Sequence, residues 1–162
     1  MFFVNARAFI ERDNDGVTEL IIQTRVKPGE PEVLELPGGR LELFEPILAG
    51  LYREVFEETG LKVVRVEDQD TRSDTIGINA EFEVECVKPF CVYQTVNGPI
   101  DSMGMYFICT VTGDLTENGD NTEKVHWRPV DDIRELMNQD PMQFSNVDRA
   151  GIMYYLKYRT SR

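Results

Sequence analysis

Apolar residues recur at every second position at the start of the chain, which is the pattern of a β-strand with one buried face. The residues that would share this face are Phe2, Val4, Ala6, Ala8 and Ile10. Residues 14–16 have the composition of a tight turn, and residues 18–25 predict the returning strand. The chain is therefore expected to open with a β-hairpin.

A helical pattern follows at residues 46–59. We place Glu45 at the N-cap, Pro46 suits the first helical position, and Gly60 suits the C-terminal end. Further along, the periodicity predicts a short helix at residues 131–138 and a terminal helix. The residues expected on the packed face of the terminal helix are Val147, Ala150, Tyr154 and Tyr158.

The remaining apolar segments predict strands that are separated by polar loops. Strands are expected at residues 34–36, 61–67, 81–87, 90–96, 103–112 and 125–127, and loops at residues 70–80 and 115–123. Strands that alternate with a few helices, together with several hairpins, predict an α/β fold in which helices pack on a mixed sheet.

The 162 residues are enough for one domain, and their charge narrows the class of partner. No apolar run is long enough for a membrane span. With 17 basic and 29 acidic residues the net charge is −12, whereas binders of nucleic-acid backbones or anionic membranes carry basic surfaces. We therefore expect no nucleic acid and no membrane as partners. An anionic substrate stays compatible with this charge if divalent cations stand between it and the protein.

Cysteine and histidine usage limits the chemistry further. The three cysteines, Cys86, Cys91 and Cys109, form no CxxC pair, which favours small, reduced, buried thiols. The first residues lack the basic head and apolar core of a secretion signal, so a cytoplasmic location is expected. Since His126 is the only histidine, a mechanism that needs two histidines is excluded.

Three carboxylates on the first predicted helix are the strongest chemical signal. Glu54, Glu57 and Glu58 are spaced to lie on one helical face, where like charges destabilise a helix. A hard divalent cation such as Mg²⁺ would compensate them, because it prefers oxygen ligands. The backbone of Gly38 and Gly39 is accessible enough to add a carbonyl. Taken alone, the triplet is also typical of a solvated acidic face.

The surrounding residues 39–61 resemble the signature of the Nudix (MutT-like) hydrolase family. That signature has a glycine, five residues, a glutamate, seven residues, and then Arg-Glu-aliphatic-x-Glu-Glu-x-Gly-aliphatic. This chain fills its fixed positions with Gly39, Glu45, Arg53, Glu54, Val55, Glu57, Glu58, Gly60 and Leu61. The resemblance implies a single Nudix domain over residues 1–162, folded as an α/β/α sandwich around a central mixed sheet.

The resemblance also implies roles for individual residues. Glu54, Glu57 and Glu58 correspond to the metal-binding acids of the family, with Mg²⁺ as the cofactor, Mn²⁺ as a possible replacement, and Gly38 or Gly39 as an additional carbonyl ligand. The structural residues of the motif are Glu45, Arg53 and Gly60. Since Glu45 and Arg53 are about two helical turns apart, Arg53 can point back toward Glu45.

The implied reaction is the hydrolysis of a diphosphate bond in a nucleoside diphosphate linked to another moiety, with a small nucleotide as the partner. The catalytic base is expected to be Glu54 or Glu123, and Arg25 and Arg40 are candidates for phosphate binding. Glu117 and Asp120 are expected to be solvated charges. Nucleoside triphosphates, oxidised nucleotides and nucleotide sugars all stay open as substrates, as do a monomer and a homodimer.

Two other functions remain as alternatives. A Nudix-fold module could bind nucleotides without catalysis, and an isoprenoid diphosphate isomerase would need Cys86 or Cys91 in its pocket. Phe3, Tyr93 and Phe107 could stack on a nucleobase, although strand aromatics are more often core residues. Phe44 stands where the family often has glycine, and it is expected to cover the loop rather than line the mouth of the site.

Overall fold

The computed structural model describes residues 1–116, 118–119 and 122–159. In chain order its strands are β1 (Phe2–Asn14), β2 (Val17–Arg25), β3 (Val33–Glu35), β4 (Gly38–Arg40), β5 (Lys62–Val66), β6 (Ser73–Asp74), β7 (Glu85–Cys86), β8 (Cys91–Gln94), β9 (Asp101–Thr112) and β10 (Thr122–Pro129). Its helices are α1 (Ile47–Thr59), α2 (Val130–Gln139) and α3 (Asp148–Tyr158). Short 3-10 turns lie at Gln69–Thr71 and Pro141–Gln143.

The main sheet has the order β10-β2-β1-β9-β5, and β3, β4 and β8 pair with β2, β1 and β9, respectively. The pairing of β1 with β9 is parallel, whereas β1 pairs with β2 and with β4 in antiparallel fashion. The sheet is therefore mixed, as the sequence predicted. The predicted N-terminal hairpin is also present as β1 and β2.

Apolar side chains fill both faces of this sheet. On one face, Leu51 and Val55 of α1 pack with Ala6, Ala8 and Ile10 of β1. On the other face, helices α2 and α3 pack with residues that include Phe9. The strand β1 is therefore buried on both faces rather than on the single face expected, because it lies inside a three-layer α/β/α sandwich.

The terminal helix exists, but the expected packed face is wrong. Tyr154 and Tyr158 are exposed, whereas the buried face of α3 holds Ile152, Tyr155 and Leu156. The prediction treated the tyrosine rings as apolar and therefore chose a helical face one position away from the buried one. Half-exposed tyrosines are ordinary, since each ring carries a polar hydroxyl.

The segment that was predicted as a strand at residues 81–87 is largely a protruding loop. Only Glu85–Cys86 is extended there, paired with Ser73–Asp74. Phe82 and Val84 alternate with acids in the sequence, yet both are exposed, so this alternation does not mark a half-buried strand.

Within the described residues, no helix is long and apolar enough to cross a membrane.

Candidate active site

An open cleft of about 960 Å³ receives side chains from α1 and from strands β1, β2, β3 and β4. The candidate residues that line it are Arg25, Gly38, Gly39, Arg40, Arg53, Glu54, Glu57 and Glu58. The helix α1 ends at Gly60, whose φ of 75° is the left-handed conformation that glycine adopts without strain. The fold thus gathers most of the candidate residues in one place.

Glu58 is the most enclosed of the three helical acids, with 8% of its surface exposed. Its Oε2 atom accepts hydrogen bonds from the backbone N–H of Gly38 and from Nε2 of Gln23, each at 2.9 Å. Burial outweighs these hydrogen bonds and raises the pKa of Glu58 to about 8. A nearby cation would stabilise the ionised form of this buried carboxylate, because its positive charge replaces the stabilisation that water gives in solution.

Glu54 and Glu57 share a single arginine. Nη1 of Arg53 donates to Oε1 of Glu54 at 2.8 Å and lies 3.4 Å from Oε2 of Glu57. Burial raises the pKa of Glu54, although the charge and hydrogen bond of Arg53 oppose this rise. Glu57 is exposed to solvent. The three acids therefore stand in environments that range from buried to open.

Arg53 also holds the loop that precedes α1. Its Nε and Nη2 atoms donate to the two carboxylate oxygens of Glu45 at 2.8 and 3.0 Å, and Nη2 donates to the carbonyl of Arg40 at 3.1 Å. The hydrogen bond from Arg53 lowers the pKa of Glu45. The pair meets across two helical turns, as the spacing predicted.

The N-terminus of α1 differs from the expectation, because Glu45 is not its N-cap. Pro46 occupies that position, and the carboxylate of Glu45 binds Arg53 and the backbone N–H of Glu42 instead. The N–H of Ile47 donates to Oε1 of Glu85, at 2.7 Å. A distant acid on β7 thus satisfies a helical N–H that a local side chain was expected to cap.

Strand β4 brings the backbone of two glycines against its neighbours. A Cβ atom on Gly38 would lie 2.5 Å from the carbonyl oxygen of Ala6, and one on Gly39 would lie 2.6 Å from the carboxyl carbon of Glu54. Any other residue at Gly39 would therefore displace the Glu54 carboxylate. Glycine at this position allows α1 and β4 to approach closely.

The donor set fits a hard divalent cation such as Mg²⁺. Three carboxylates within about one turn of one helix face the cleft beside a glycine backbone, and Glu58 makes no ion pair with the described residues. Across residues 1–116, 118–119 and 122–159, no three acidic, histidine or cysteine side chains already surround one point. Hydrogen bonds to Arg53 and to Gly38 hold the carboxylates apart.

Two candidate arginines line the cleft. Arg25 ends β2, and its Nη2 atom donates to Glu30 at 2.7 Å. Arg40 ends β4, where its guanidinium carbon lies 3.5 Å from the centre of the Phe3 ring. Of the aromatic candidates, Phe3 lines the cleft. Tyr93 and Phe107 are buried in the core.

Glu123 and His126 lie on β10, beside the cleft. Thr122 lines the cleft, whereas Glu123 is exposed, since successive strand residues point to opposite sides. His126 pairs with Ile22 of β2 and is not among the lining residues. The assignment of Glu123 as a base stays a prediction. Glu117 and Asp120 lie outside the described residues.

Sequence reasoning missed a buried polar network below the cleft. Arg7 is 5% exposed, and its Nε atom donates to Oδ1 of the fully buried Asp148 at 2.7 Å. Glu35 lies 3.7 Å from Arg7 and lines the cleft, and burial raises its pKa although Arg7 opposes the rise. One signal was available: an arginine between the apolar residues of a central strand needs a buried partner.

The cysteines do not support an isomerase. Cys86 is exposed on β7, and Cys91 and Cys109 are free thiols that do not line the cleft. Burial raises the pKa of Cys91 to about 12, which disfavours the reactive thiolate. Catalysis by a cysteine in the cleft is therefore not supported by the described residues.

Several solved structures share this fold. A MutT NUDIX hydrolase from Burkholderia pseudomallei has 18% identity and a TM-score of 0.59, and the match covers 81% of this chain and 85% of that one. The E. coli ORF135 protein has 15% identity and a TM-score of 0.67 over 99% of this chain and 93% of its own. The NUDIX domain of Shewanella oneidensis NrtR, complexed with ADP ribose, has 12% identity and a TM-score of 0.62 over 99% and 89% of the two chains.

Sequence comparison gives the family. Among curated proteins, none matches the chain. The family model of the NUDIX domain matches residues 1–146, which include every cleft residue named above. The three-layer fold and the filled signature on β4 and α1 agree with that match. The chain therefore belongs to the Nudix family.

Proposed function

We propose that this protein is a metal-dependent hydrolase that cleaves the diphosphate bond of a nucleoside diphosphate linked to another moiety. The observation that carries the proposal is the meeting of Glu54, Glu57 and the buried Glu58 with the glycine backbone of β4 in one open cleft. Family membership supports action on pyrophosphate bonds.

Glu54, Glu57 and Glu58 would hold Mg²⁺, or Mn²⁺ in its place, with a carbonyl of Gly38 or Gly39. When bound, the cation neutralises phosphate oxygens, orients the substrate and activates water. The buried position of Glu58 supports its role as a ligand, because a cation would offset the loss of water around its carboxylate. The open position of Glu57 leaves room for substrate beside it.

Residues of this chain supply the remaining steps. Arg25 and Arg40 hold phosphate oxygens through charge-assisted hydrogen bonds. Water attacks phosphorus, its proton passes to a carboxylate, and the bond to the leaving phosphate oxygen breaks. We favour Glu54 over Glu123 as the proton acceptor, because Glu54 lines the cleft and burial raises its pKa toward the range of a general base.

A nucleotide panel tests this function. The protein is incubated with nucleoside triphosphates, oxidised nucleotides, nucleotide sugars and dinucleoside polyphosphates, each with Mg²⁺, with Mn²⁺ or with excess EDTA. Release of phosphate or diphosphate should require a divalent cation. Turnover that persists in excess EDTA contradicts the proposal, and so does the absence of turnover on the whole panel.

A nucleotide-binding module without catalysis is the second candidate. The fold is similar to that of the NUDIX domain of NrtR, which was crystallised with ADP ribose. The two candidates differ in the need for acids, since a binder has no use for three clustered carboxylates. Tight nucleotide binding by a protein that shows no turnover with either metal would favour the module.

We further propose that residues 1–162 act as one domain in the reducing cytoplasm, as a monomer or a homodimer. The three free cysteines support a reducing environment, because exposed Cys86 would be open to oxidation elsewhere. Nucleic acid and membrane are not expected as partners of a chain with a net charge of −12.

A further inference from the structure

The chain passes from β4 to α1 through a tight turn that contains an unfavourable residue. The backbone N–H of Glu45 donates to the carbonyl of Glu42 at 3.1 Å, which closes a four-residue turn. Phe44, the third residue of this turn, has a φ of 59°. That position favours glycine or asparagine, because a side chain there crowds the backbone. An aromatic residue at this point strains the turn.

Packing in the free protein does not offset this strain. Phe44 is 95% exposed and Leu43 is 87% exposed, so the expectation that Phe44 covers the loop is wrong. Two of the other positive-φ residues in the described part of the chain, Asp15 and Asp68, are aspartates, which adopt this conformation more readily. Phe44 has no short polar side chain of this kind. Uncompensated strain of this kind often marks a functional residue.

The turn is nevertheless rigid. The carboxylate of Glu45 accepts from the N–H of Glu42 at 2.8 Å, and Arg53 holds the same carboxylate from α1. The backbone of Leu43 and Phe44, whose side chains we name the turn tip, is thus held relative to the helix that carries Glu54. A backbone that is already held reduces the conformational entropy lost when a ligand packs on the turn tip.

The register of the strands places the turn tip at one end of the cleft. Arg40 pairs with Asn5, and Leu41 donates to the carbonyl of Val4, so the chain leaves β4 toward the N-terminal end of β1. Phe3 lies at that end, and its partner Ser102 is two residues after Ile100. Leu43, Phe3 and Ile100 line the cleft, whereas Phe44, the neighbour of Leu43 in the turn, is exposed next to this lining.

The opposite end of the cleft has a different character. Arg25 and Lys27 line it where β2 ends, next to Thr122 of β10. Because β10 and β2 lie on one side of β1 and β9 lies on the other, the cationic end and the apolar end are separated across the sheet. The acids of α1 and the glycine backbone of β4 lie between these two ends of the cleft.

We propose that the turn tip contacts the nucleobase of the substrate, while the phosphate-bearing group beyond the scissile bond points toward Arg25 and Lys27. This inference rests on the proposed function and adds an orientation to it. A nucleobase offers a flat face that stacks on an aromatic ring. Phe3 adds a second aromatic ring at the same end, and Arg40, whose guanidinium face stacks on that ring, keeps N–H groups for a phosphate oxygen next to the nucleoside.

Binding measurements with Phe44→Gly test the inference. Isothermal titration in Mg²⁺ compares ADP, GDP, CDP and UDP with inorganic pyrophosphate, which has no base. We expect the affinity for at least one nucleoside diphosphate to fall by about fivefold or more. Pyrophosphate affinity should change less than twofold. Phe44→Tyr, which keeps the ring, should restore nucleotide affinity.

Stability and a matched control complete the experiment. Phe44→Gly relieves the positive φ, so its melting temperature should stay unchanged or rise by up to about 4 °C. Phe82→Ala removes another exposed aromatic ring, on the loop between β6 and β7, and should leave all affinities unchanged. A melting temperature that falls by several degrees contradicts the claim that Phe44 is strained and unsupported.

Other outcomes overturn the inference in distinguishable ways. Unchanged nucleotide affinity in Phe44→Gly removes the base contact while the proposed function stands. An equal loss for pyrophosphate shows a general disturbance of the cleft and rejects the assignment. A change in molar mass with unchanged affinity identifies the turn tip as a contact between copies instead. Wild-type protein that binds neither pyrophosphate nor any nucleotide rejects the proposed function and the inference together.

Discussion

The carboxylate of Asp148 accepts a hydrogen bond from the backbone N–H of Leu36, with Oδ2 and N 2.8 Å apart. Arg7 donates to the carbonyl of the same leucine at 2.7 Å and binds Asp148 directly. Both backbone groups of Leu36 are therefore held by one buried ion pair. Two residues later, the N–H of Gly38 donates to Glu58. The start of α3 thus fixes the segment that supports the site.

Replacing Asp148 by asparagine should be strongly destabilising. The variant leaves the buried Arg7 guanidinium with only the more distant Glu35 carboxylate, 3.7 Å away, and the loss of a buried partner costs about 3–5 kcal/mol. Urea denaturation measures the free energy of unfolding. Glu30→Gln is the control, because it breaks the more exposed pair with Arg25 and should cost less than about 1 kcal/mol. Equal effects of the two variants would contradict the role given to Asp148.

The Glu58→Gln variant should keep its fold and lose most of its rate. The substitution conserves volume and the hydrogen bond from Gly38, but it removes the charge that a divalent cation needs. Thermal shift with increasing Mg²⁺ and single-turnover rates measure the two effects separately. Glu81→Gln removes the same charge from the protruding loop and should behave as wild type. A Glu58→Gln rate near wild type at saturating Mg²⁺ sinks the assignment.

The stability of the metal-free protein should depend on pH through Glu58. Its pKa is about 8 in the folded chain against an ordinary value of 4.5, so the folded state binds the proton more tightly. Stability from this group is present below about pH 4.5 and is lost as the pH rises to about 8. The loss is at most about 1.4 kcal/mol per pH unit.

The measurement is the unfolding free energy in EDTA between pH 5 and pH 8.5, for wild type and Glu58→Gln. The difference between the two proteins should shift in favour of the variant as the pH rises. Added Mg²⁺ should stabilise the wild type more at pH 8 than at pH 5, because the cation competes with the proton for one carboxylate. A difference that is independent of pH would reject the buried carboxylic acid.

The local signals in the sequence predicted the site better than the global packing. The spacing of Arg53 from Glu45 and the glycine at Gly60 depend on helix geometry alone, and both appear as expected. The residues that support these two features come from parts of the chain that are distant in sequence. Neither the capping of Ile47 by Glu85 nor the hold of Asp148 on Leu36 can be inferred from neighbours in sequence.

The same reason explains the errors in the predicted elements. Alternation at the start of β1 marks a strand but does not reveal that a second helix layer covers its other face. Exposed Phe82 and Val84 imitate a half-buried strand, since periodicity reports the pattern and not the presence of a packing partner. Sequence reasoning therefore located the acids of α1 and missed the buried network beneath them.

Replacing Arg53 by lysine should damage both the loop and the rate. The guanidinium of Arg53 donates two hydrogen bonds to the carboxylate of Glu45. It also donates to the carbonyl of Arg40 and to the carboxylate of Glu54. A single ammonium cannot match this fork, so the turn before α1 should loosen at a cost of about 1–2 kcal/mol. Hydrogen exchange at residues 42–45 should accelerate. Arg65→Lys on β5 is the control. This variant should leave hydrogen exchange at the turn before α1 unchanged.

The last prediction concerns the only histidine. His126 lies on β10 paired with Ile22, outside the lining of the cleft, and its Nδ1 atom is bonded to the carbonyl of Lys124. A general acid or base contributes about a hundredfold or more to a rate, so His126→Asn should cost less than about tenfold in kcat if proton transfer runs through carboxylates. Glu54→Gln, measured beside it, should lose a hundredfold or more. If the histidine variant instead loses a thousandfold while its melting temperature is unchanged, the proton acceptor lies on β10 and Glu54 is only a ligand.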